Sequence, residues 1–309
     1  MYDLVAIGNP VYDEIITPYI QTKGRVLSGC STNACLAAKK LGLDKVALIG
    51  CIGKDYEKRY KTELSRYDIK LPLTKISDET GGFKLVYDLK GDRTLDVLGF
   101  ADKIFPEDFP SECLDSKVIL LGPILQEIDL NFVKFLKQNS DAIIFLDPQG
   151  MIRKIGPNGR IQHTCDRNTI MTLAKLVDYI KPNETEAITL TGKDDPYVSA
   201  KLLVEWGSRV GIVTLAERGS LLYDSTNYYR IPAFKTLAKD PTGAGDTYAG
   251  SFICGLLNGK SVHNSALFAS AAASIKIEYT GPDFPLNFSA VNIRVKELNH
   301  FLQDNKFFT

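Results

Sequence analysis

The sequence predicts an α/β protein in which helices cover both faces of a mostly parallel β-sheet. Short apolar runs are typical of buried strands, the segments between them have the amphipathic pattern of helices, and the two kinds alternate along the chain. The predicted strands are 4–7, 46–49, 118–121, 142–146 and 211–215. The predicted helices are 31–41, 55–67, 127–138, 167–176, 197–206 and 242–257. Because ligands in such sheets bind where the strands end, the loops with Asp13, Asp147 and Asn183 are expected there.

One stretch departs from this alternation. Segments 82–88 and 93–97 are short and strand-like, and Leu89-Lys90-Gly91-Asp92 between them is typical of a hairpin turn. Together with residues 14–27 they are expected to form a small β-sheet inserted into a single α/β domain that spans residues 1–309. Such a sheet can act as a lid that excludes water from a site. The polar segment 158–169 is expected to be a surface loop or an insertion.

Composition favours a soluble enzyme and excludes several other classes. Lys plus Arg and Asp plus Glu number 37 each, and the formal net charge is zero. This balance argues against binding to nucleic acids or to acidic membranes. No apolar run reaches the roughly 18–20 residues of a membrane span. The first residues lack the basic and apolar segments of a signal peptide. A cytoplasmic location is therefore expected.

The cysteines and histidines predict no metal centre or disulfide framework. The 6 cysteines show no Cys-x-x-Cys spacing, so neither a zinc site nor a set of disulfides is expected. The 3 histidines, His163, His263 and His300, lie far apart without a surrounding motif, and none is expected to be catalytic.

The most informative segment is 240–252, Asp-Pro-Thr-Gly-Ala-Gly-Asp-Thr-Tyr-Ala-Gly-Ser-Phe. Its small residues Gly243, Ala244 and Gly245 precede the carboxylate of Asp246 and an apolar, helix-length stretch. This order predicts a helix N-terminus, whose free N–H groups bind anions. A carboxylate there suits a base that takes a proton from a hydroxyl while the N–H groups hold a moving phosphoryl group. A glycine-rich turn with an aspartate near its N-cap is the alternative.

The whole segment resembles the C-terminal signature of the ribokinase-like (PfkB-type) carbohydrate kinases, Asp-Thr-Thr-Gly-Ala-Gly-Asp-Thr-Phe-x-Gly-Ala-Phe. Pro241, Tyr248 and Ser251 differ from that form. The resemblance implies a ribokinase-like three-layer sandwich with a small β-sheet lid. It also implies that Asp246 is the catalytic base and that residues 243–245 form the anion hole. Further motifs of the family follow in the same order along nearly the whole chain.

Two of these motifs concern the acceptor. The family's substrate-binding aspartate matches Asp13, and its Gly-Gly-x-x-x-Asn motif matches residues 28–33. Gly29 and Asn33 retain the second glycine and the asparagine, while Ser28 replaces the first glycine. Without the resemblance, Asp13 could be a turn residue and Asn33 the N-cap of the following helix.

The segment from Asp147 to Arg153 lies where sugar kinases of the family commonly have Asp-x-Asn-x-Arg. Gln149 and Gly150 depart from that pattern, and the segment is closer to inositol-kinase-like members. Arg153 could reach an anionic or polyhydroxylated acceptor, or it could be a surface arginine. We expect a sugar or cyclic polyol as the acceptor, with a nucleoside as the alternative.

Two motifs predict the nucleotide-binding site. The family's Asn-x-x-Glu, which serves Mg²⁺ and the donor phosphates, matches segment 183–186, although the same pair could simply cap a helix. Its Thr-Leu-Gly-x-x-Gly matches segment 214–219, and adenine is expected between that segment and the alanine-rich helix 267–275. The residues assigned to the nucleotide are Asn183, Glu186, Thr214, Ala216, Gly219 and Ser270.

The resemblance also implies the cofactors and partners. ATP is the expected phosphoryl donor, with ADP left open, and Mg²⁺ is expected near Asn183 and Glu186 through water. The family often binds K⁺ beside the signature, where Asp240 and Thr242 would contribute. Its lid often pairs with a second copy in a homodimer, but residues 14–27 are a short segment for a lid and leave dimerisation open.

Two other classes of protein remain as alternatives. A dinucleotide-binding oxidoreductase could use a similar sheet, but the first strand ends in Gly8-Asn9-Pro10 rather than in Gly-x-Gly-x-x-Gly. A non-catalytic, ligand-binding relative is the other alternative, and the presence of Asp246, Asn183 and Glu186 argues against it. Bound nicotinamide cofactor would indicate the first, and ligand binding without turnover the second.

Overall fold

A computed structural model of the chain describes residues 1–89 and 91–305. Its strands are β1 (Tyr2–Ile7), β2 (Val11–Ile16), β3 (Val26–Ser28), β4 (Val46–Gly53), β5 (Lys70–Ser77), β6 (Gly82–Tyr87), β7 (Arg93–Gly99), β8 (Ser116–Leu121), β9 (Ile143–Leu146), β10 (Arg153–Ile155), β11 (Ile161–His163), β12 (Tyr179–Ile180), β13 (Val210–Thr214), β14 (Ser220–Tyr223) and β15 (Tyr228–Ile231). Its helices are α1 (Cys30–Lys40), α2 (Glu57–Ser65), α3 (Leu130–Asn139), α4 (Gln149–Ile152), α5 (Arg167–Leu176), α6 (Glu184–Thr191), α7 (Pro196–Glu205), α8 (Ala244–Leu257), α9 (Val262–Lys276) and α10 (Phe288–Asn305). Within the described ranges, every helix is too short or too polar to cross a lipid bilayer.

The central sheet is mostly parallel, as predicted. In the described part of the chain it has 9 strands, in the order β15-β14-β13-β12-β9-β8-β1-β4-β5. The strands from β13 to β5 along this order are all parallel, whereas β14 and β15 return antiparallel at one edge. Because parallel strands need crossover connections, helices lie between most consecutive parallel strands, whereas the chain passes from β5 to β8 through β6 and β7.

Helices cover both faces of this sheet. Successive side chains of a strand point to opposite faces, and β1 shows the consequence. Leu4 and Ala6 lie in one core cluster with α1, α2, α8, α9 and α10, while Val5 and Ile7 lie in a second cluster with α3, α5 and α7. Strand β1 is therefore buried on both sides, which explains why residues 4–7 are a continuous apolar run.

The carboxyl ends of neighbouring strands bring the polar loops together. Asp147 follows β9 and its N–H donates to Leu121 of β8, while the N–H of Lys181, after β12, donates to Leu146 of β9. Asn183 then pairs with Thr214 at the end of β13. The expectation that the loops with Asp147 and Asn183 lie at this edge is confirmed, whereas Asp13 lies within strand β2 and not in a loop.

A small second sheet stands apart from the central one. Its order is β3-β2-β6-β7, and the predicted strands 82–88 and 93–97 correspond to β6 and β7. Lys90, in the predicted hairpin turn, lies outside the described residues. The expected loop 158–169 contains strand β11, which pairs with β10, and Arg160 before it bridges to Asp96 on the edge strand β7. The segment lies at the surface as predicted, but it is not wholly a loop, because residues 161–163 pair as a strand and α5 begins at Arg167.

One predicted helix begins in the wrong place. Residues 127–138 were expected to be helical, but α3 begins at Leu130, and Asp129 caps it by accepting from two N–H groups. Glu127 instead turns its buried carboxylate onto backbone N–H groups of Asn9 and Ile124, at 2.9 and 2.7 Å. A long-range contact therefore overrides the local helical pattern at this residue.

Helices α1 and α8 pack unusually closely. A Cβ atom on Gly250 of α8 would lie 2.2 Å from the carbonyl oxygen of Ala34 on α1, so a side chain does not fit. The glycine thus sets the distance between the helices that carry Asn33 and Asp246.

We predict that Gly250→Ala lowers the free energy of unfolding by about 1–3 kcal/mol, because the added methyl forces the two helices apart. Urea denaturation measures it. Ser251→Ala is the matched control: its buried hydroxyl has no hydrogen-bond partner in the described structure, so removing it is expected to leave stability nearly unchanged. Equal stability of the two variants would contradict the close-packing argument.

Candidate active site

The N-terminus of α8 forms a glycine-rich turn with free backbone N–H groups. Gly243 is its N-cap with φ +80, and a Cβ atom there would lie 2.9 Å from Nδ2 of Asn33, so both backbone and space require glycine. The N–H groups of Gly245 and Asp246 have no hydrogen-bond partner among the described residues, whereas the N–H of Ala244 donates to the carbonyl of Pro241. Ala244 therefore offers no free N–H group to the anion hole expected at residues 243–245. Free N–H groups at the positive end of a 14-residue helix attract an anion.

Two amides hold the carboxylate of Asp246 in this turn. Nδ2 of Asn33 donates to its Oδ2 at 2.9 Å, and Nε2 of Gln149 approaches its Oδ1 at 3.4 Å. Asp246 lies in the first turn of α8, near the N-cap Gly243 as the alternative interpretation expected, but its side chain makes no capping hydrogen bond. Asn33 lies inside α1, whose N-cap is Gly29, so the capping interpretation of Asn33 is wrong.

A buried ion pair lies beside the turn. Nζ of Lys181 is 2.8 Å from Oδ2 of Asp147, and each side chain is 3% exposed. Burial disfavours the ammonium, but Asp147 and Glu186 outweigh it and raise the pKa of Lys181. A Cβ atom on Gly245 would be 3.4 Å from this Nζ, so a fixed positive charge lies next to the anion-binding N–H groups.

The sulfur of Cys30 joins this cluster. One potential ligand atom from each of Cys30, Asp147 and Asp246 lies within 4.8 Å of the others. Burial first, and then the two carboxylates, raise the pKa of the Cys30 thiol well above its usual range. The three groups therefore form one polar cluster beside the start of α8.

Asn183 and Glu186 form the capping box that was the alternative for this pair. The backbone N–H of Asn183 donates to Oε2 of Glu186 at 2.8 Å, and the N–H of Glu186 donates to Oδ1 of Asn183 at 2.9 Å. The other oxygen of Glu186 has no hydrogen-bond partner among the described residues, although the side chain is only 3% exposed. Burial, and then Asp147, raise the pKa of Glu186, and Lys181 opposes them. A free carboxylate oxygen facing the cluster fits a Mg²⁺ ion that keeps its waters.

On the acceptor side, Asp13 and Arg153 are both buried. Asp13 lies within β2, so it is not a turn residue, and its Oδ1 accepts from the N–H of Phe83 on β6 at 2.8 Å. Burial raises its pKa to about 6, against a hydrogen bond to Phe83 that lowers it. Arg153 donates to Oε1 of Gln149 at 2.5 Å and to the carbonyl of Ile124 at 3.2 Å. The interpretation of Arg153 as a surface residue is therefore wrong.

The expected nucleotide residues lie along one adjoining stretch. The N–H of Thr214 donates to the carbonyl of Pro182, next to Asn183. Ala216 has φ +50 and Gly219 φ +90, so the chain turns sharply here, and Ala216 holds a conformation that glycine adopts more easily. Oγ of Ser270, on α9, donates to the carbonyl of Pro232, and a Cβ on Gly219 would meet that same loop.

Sequence reasoning missed several residues that the structure brings to the site. Gln149 and Lys181 stood inside motifs already singled out, and the Lys-Pro-Asn run before the capping box could have indicated the lysine. Tyr87 and Arg93 gave no local signal. Both come from the small sheet. The hydroxyl of Tyr87 is 3.0 Å from Oγ1 of Thr242, and the guanidinium of Arg93 donates to the same tyrosine hydroxyl at 2.9 Å.

The family is settled by a match over nearly the whole chain. The family model described as pfkB family carbohydrate kinase matches residues 3–288. The chain belongs to this family. It is 29% identical over 266 residues to a cytidine kinase of Thermococcus kodakarensis, covering 84% of this chain and 90% of the relative. It is 26% identical over 304 residues to a ribokinase of Lactococcus lactis, covering 96% of this chain and 94% of the relative.

Solved structures show the same fold for this pfkB kinase. A ribokinase of Thermotoga maritima superposes with a TM-score of 0.76 at 21% identity, covering 96% of this chain and 100% of that chain. A pyrophosphate-dependent kinase in the ribokinase family, complexed with a pyrophosphate analogue and myo-inositol, superposes with a TM-score of 0.80 at 20% identity, covering 94% and 99%. The predicted family and the ribokinase fold are therefore confirmed, and the protein is a kinase that acts on a hydroxyl acceptor.

We predict that Lys181→Met lowers the free energy of unfolding by about 3–5 kcal/mol, because it leaves the buried carboxylate of Asp147 without its cation. Urea denaturation at neutral pH measures it, and adding Asp147→Asn in the same chain should recover part of the loss. Lys201→Met is the matched control: Lys201 and Glu205 form an ion pair in which both side chains are 51% exposed, worth about 1 kcal/mol or less. Similar losses in both lysine variants would show that the buried pair is not special.

Proposed function

We propose that this pfkB kinase transfers the γ-phosphoryl group of ATP to a hydroxyl of a small sugar or cyclic polyol. The observation that carries the proposal is the carboxylate of Asp246 within an anion-binding helix N-terminus, held by the amides of Asn33 and Gln149. A base and an electrostatic cradle are the two parts that phosphoryl transfer to a hydroxyl requires.

The proposed reaction follows from these contacts. Asp246 accepts the proton of the acceptor hydroxyl as that oxygen attacks the γ-phosphorus and the bond to the ADP oxygen breaks. The N–H groups of Gly245 and Asp246, with the adjacent ammonium of Lys181, stabilise the negative charge on the phosphoryl oxygens. One preorganised donor of this kind is worth roughly 3–4 kcal/mol of barrier. Asn33 and Gln149 keep the carboxylate oriented towards the incoming hydroxyl.

Mg²⁺ is proposed on the donor side. Glu186, with its free carboxylate oxygen, and Asn183 would hold it through water, and the ion would neutralise charge on the donor phosphates. Adenine would lie along the turn from Thr214 to Gly219, beside Ser270 on α9. The assay should compare several phosphoryl donors, because one structural relative is named as a pyrophosphate-dependent kinase.

The acceptor site is proposed around Asp13, Gly29, Asn33 and Arg153. Asp13 supplies a hydrogen-bond acceptor, and the chain from Arg153 through Gln149 to Asp246 links the acceptor side to the base. A carboxylate and a guanidinium in one site suit a ligand with several hydroxyls, because hydroxyls both donate and accept hydrogen bonds. A nucleoside is the second candidate, because the relative in Thermococcus kodakarensis is named a cytidine kinase.

The small sheet is proposed to act as a lid within a single domain. Tyr87 of β6 touches Thr242 of the signature, and Oγ1 of Thr17, just after β2, donates to the carbonyl of Lys239 at 2.8 Å. These contacts join the lid to the segment that leads into α8. A lid in this position would exclude water from the transferred phosphoryl group. Dimerisation through the lid and a cytoplasmic location stay predictions.

The test of this function is nucleotide turnover with Mg²⁺ against pentoses, hexoses, sugar acids, inositols and nucleosides, with ATP, ADP and pyrophosphate as donors. We expect turnover with ATP and one class of sugar or polyol, and a loss of about 10²–10⁴-fold in kcat for Asp246→Asn. Asp194→Asn, an exposed acid between α6 and α7, is the matched control and should keep full activity. An Asp246→Asn variant as active as the wild type would rule out the proposed base.

The raised pKa of Asp13 predicts a pH dependence. If Asp13 accepts a hydrogen bond from the acceptor as a carboxylate, kcat/KM for the acceptor should fall as pH drops below about 6. Protonation is favoured in the folded state, so the stability that Asp13 contributes is full below its ordinary pKa of 3.8 and is lost as pH rises through 6. Protonation of Asp13 therefore does not destabilise the fold, and the expected loss of activity at low pH is not caused by unfolding through this residue. Asp13→Asn should have lower activity without that decline, and a variant with an unchanged pH profile would contradict the assignment.

A further inference from the structure

Lys276 lies buried behind the anion-binding turn, and the proposed reaction has not used it. Resting on the proposed function, we propose that its ammonium is a built-in cation that replaces the K⁺ ion expected near Asp240 and Thr242. The kinase would then need no monovalent metal ion.

The first observation is an uncompensated carboxylate. Asp240 is fully buried; its Oδ1 accepts from the N–H of Thr242 at 2.9 Å, and its Oδ2 has no hydrogen-bond partner among the described residues. A buried carboxylate without a partner is costly, so a cation must lie near it. Because the carboxylate of Asp240 accepts a hydrogen bond from the N–H of Thr242, a change in its charge or position affects the turn that begins α8.

The second observation is the ammonium itself. Lys276, the last residue of α9, is 2% exposed, and its Nζ donates to the carbonyl of Tyr279 at 3.0 Å. An ammonium has three N–H donors, so two remain for other partners. Burial lowers the pKa of Lys276, and the nearby carboxylates of Asp240 and Asp246 oppose that effect. A lysine is rarely this buried unless an anion compensates it.

The two groups share one small cavity. Lys276, Asp240, Thr242 and Asn33 are among the residues that line it, and it is about the size of one water molecule. A Cβ atom on Gly243 would lie 3.3 Å from Cε of Lys276, so the lysine also contacts the turn from behind. A K⁺ ion here would be forced against a fixed positive charge, and like charges at such distances repel strongly. The residues therefore do not fit K⁺.

The consequence for catalysis is electrostatic. A positive charge behind Gly243 compensates Asp240 and adds to the field of the α8 N-terminus, where the phosphoryl charge develops. Lys276 is thus a positioning residue: it acts through the turn and does not touch the substrate.

The test compares three proteins in potassium chloride and in tetramethylammonium chloride at the same ionic strength. The wild type should show the same Tm and the same kcat in both salts. Lys276→Ala opens space and removes the charge, so in tetramethylammonium it should lose about tenfold or more in kcat. Potassium should restore part of that activity and raise its Tm, because an ion that binds only the folded state stabilises it. Lys276→Met fills the space without a charge and should lose activity with no rescue by K⁺.

Each result decides the proposal. A wild type whose Tm or kcat rises specifically with K⁺ would overturn it, as would a Lys276→Met variant with full activity or a Lys276→Ala variant indifferent to K⁺ in both readouts. If Lys276→Ala does not fold, the salt dependence of the wild type and the activity of Lys276→Met still test the proposal. Lys175→Ala, an exposed lysine in the last turn of α5, controls for loss of a helix-terminal charge. Absence of turnover with every acceptor would count against the proposed function, while the Tm comparison would still test the lysine.

Discussion

The close approach of α1 and α8 is the constraint on which the rest of the site depends. Gly250 lets the two helices meet at a distance that no side chain allows, and this distance puts the amide of Asn33 against the carboxylate of Asp246. Both helices begin at a glycine with positive φ, Gly29 and Gly243, whose missing side chains leave room for neighbouring groups. The carboxylate of Asp246 and the free N–H groups at the start of α8 are therefore positioned by backbone packing, which is stiffer than a loop.

Around this contact the site concentrates buried charges that would each be unfavourable alone. The carboxylate of Asp147 has Lys181 as its partner, and that of Asp240 shares a cavity with Lys276. Replacing a buried ion pair such as Asp147 and Lys181 with apolar side chains often costs a protein little stability, so its presence here favours a role in function. Two buried lysines next to the turn at residues 243–245, Lys181 near Gly245 and Lys276 near Gly243, suit a site that binds several phosphate charges.

Much of this could be predicted from the sequence because the signals are local. Apolar runs separated by helical segments indicated the parallel sheet, and segment 240–252 indicated the helix N-terminus and its base. What failed depended on distant contacts. Glu127 has a helical neighbourhood, but the N–H of Asn9, 118 residues away, binds its carboxylate. The burial of Arg153 and Lys276 was equally unreadable, since packing by other elements decides whether a long cationic side chain reaches solvent.

The central claim is that the turn of Asp246 transfers a phosphoryl group to a hydroxyl and not to water. Phosphorus NMR of the protein with ATP, Mg²⁺ and the sugar and polyol panel tests it most directly. The account predicts a phosphomonoester resonance that grows in step with ADP, with little free phosphate. Release of inorganic phosphate without an ester, or unchanged ATP with every acceptor, would contradict it.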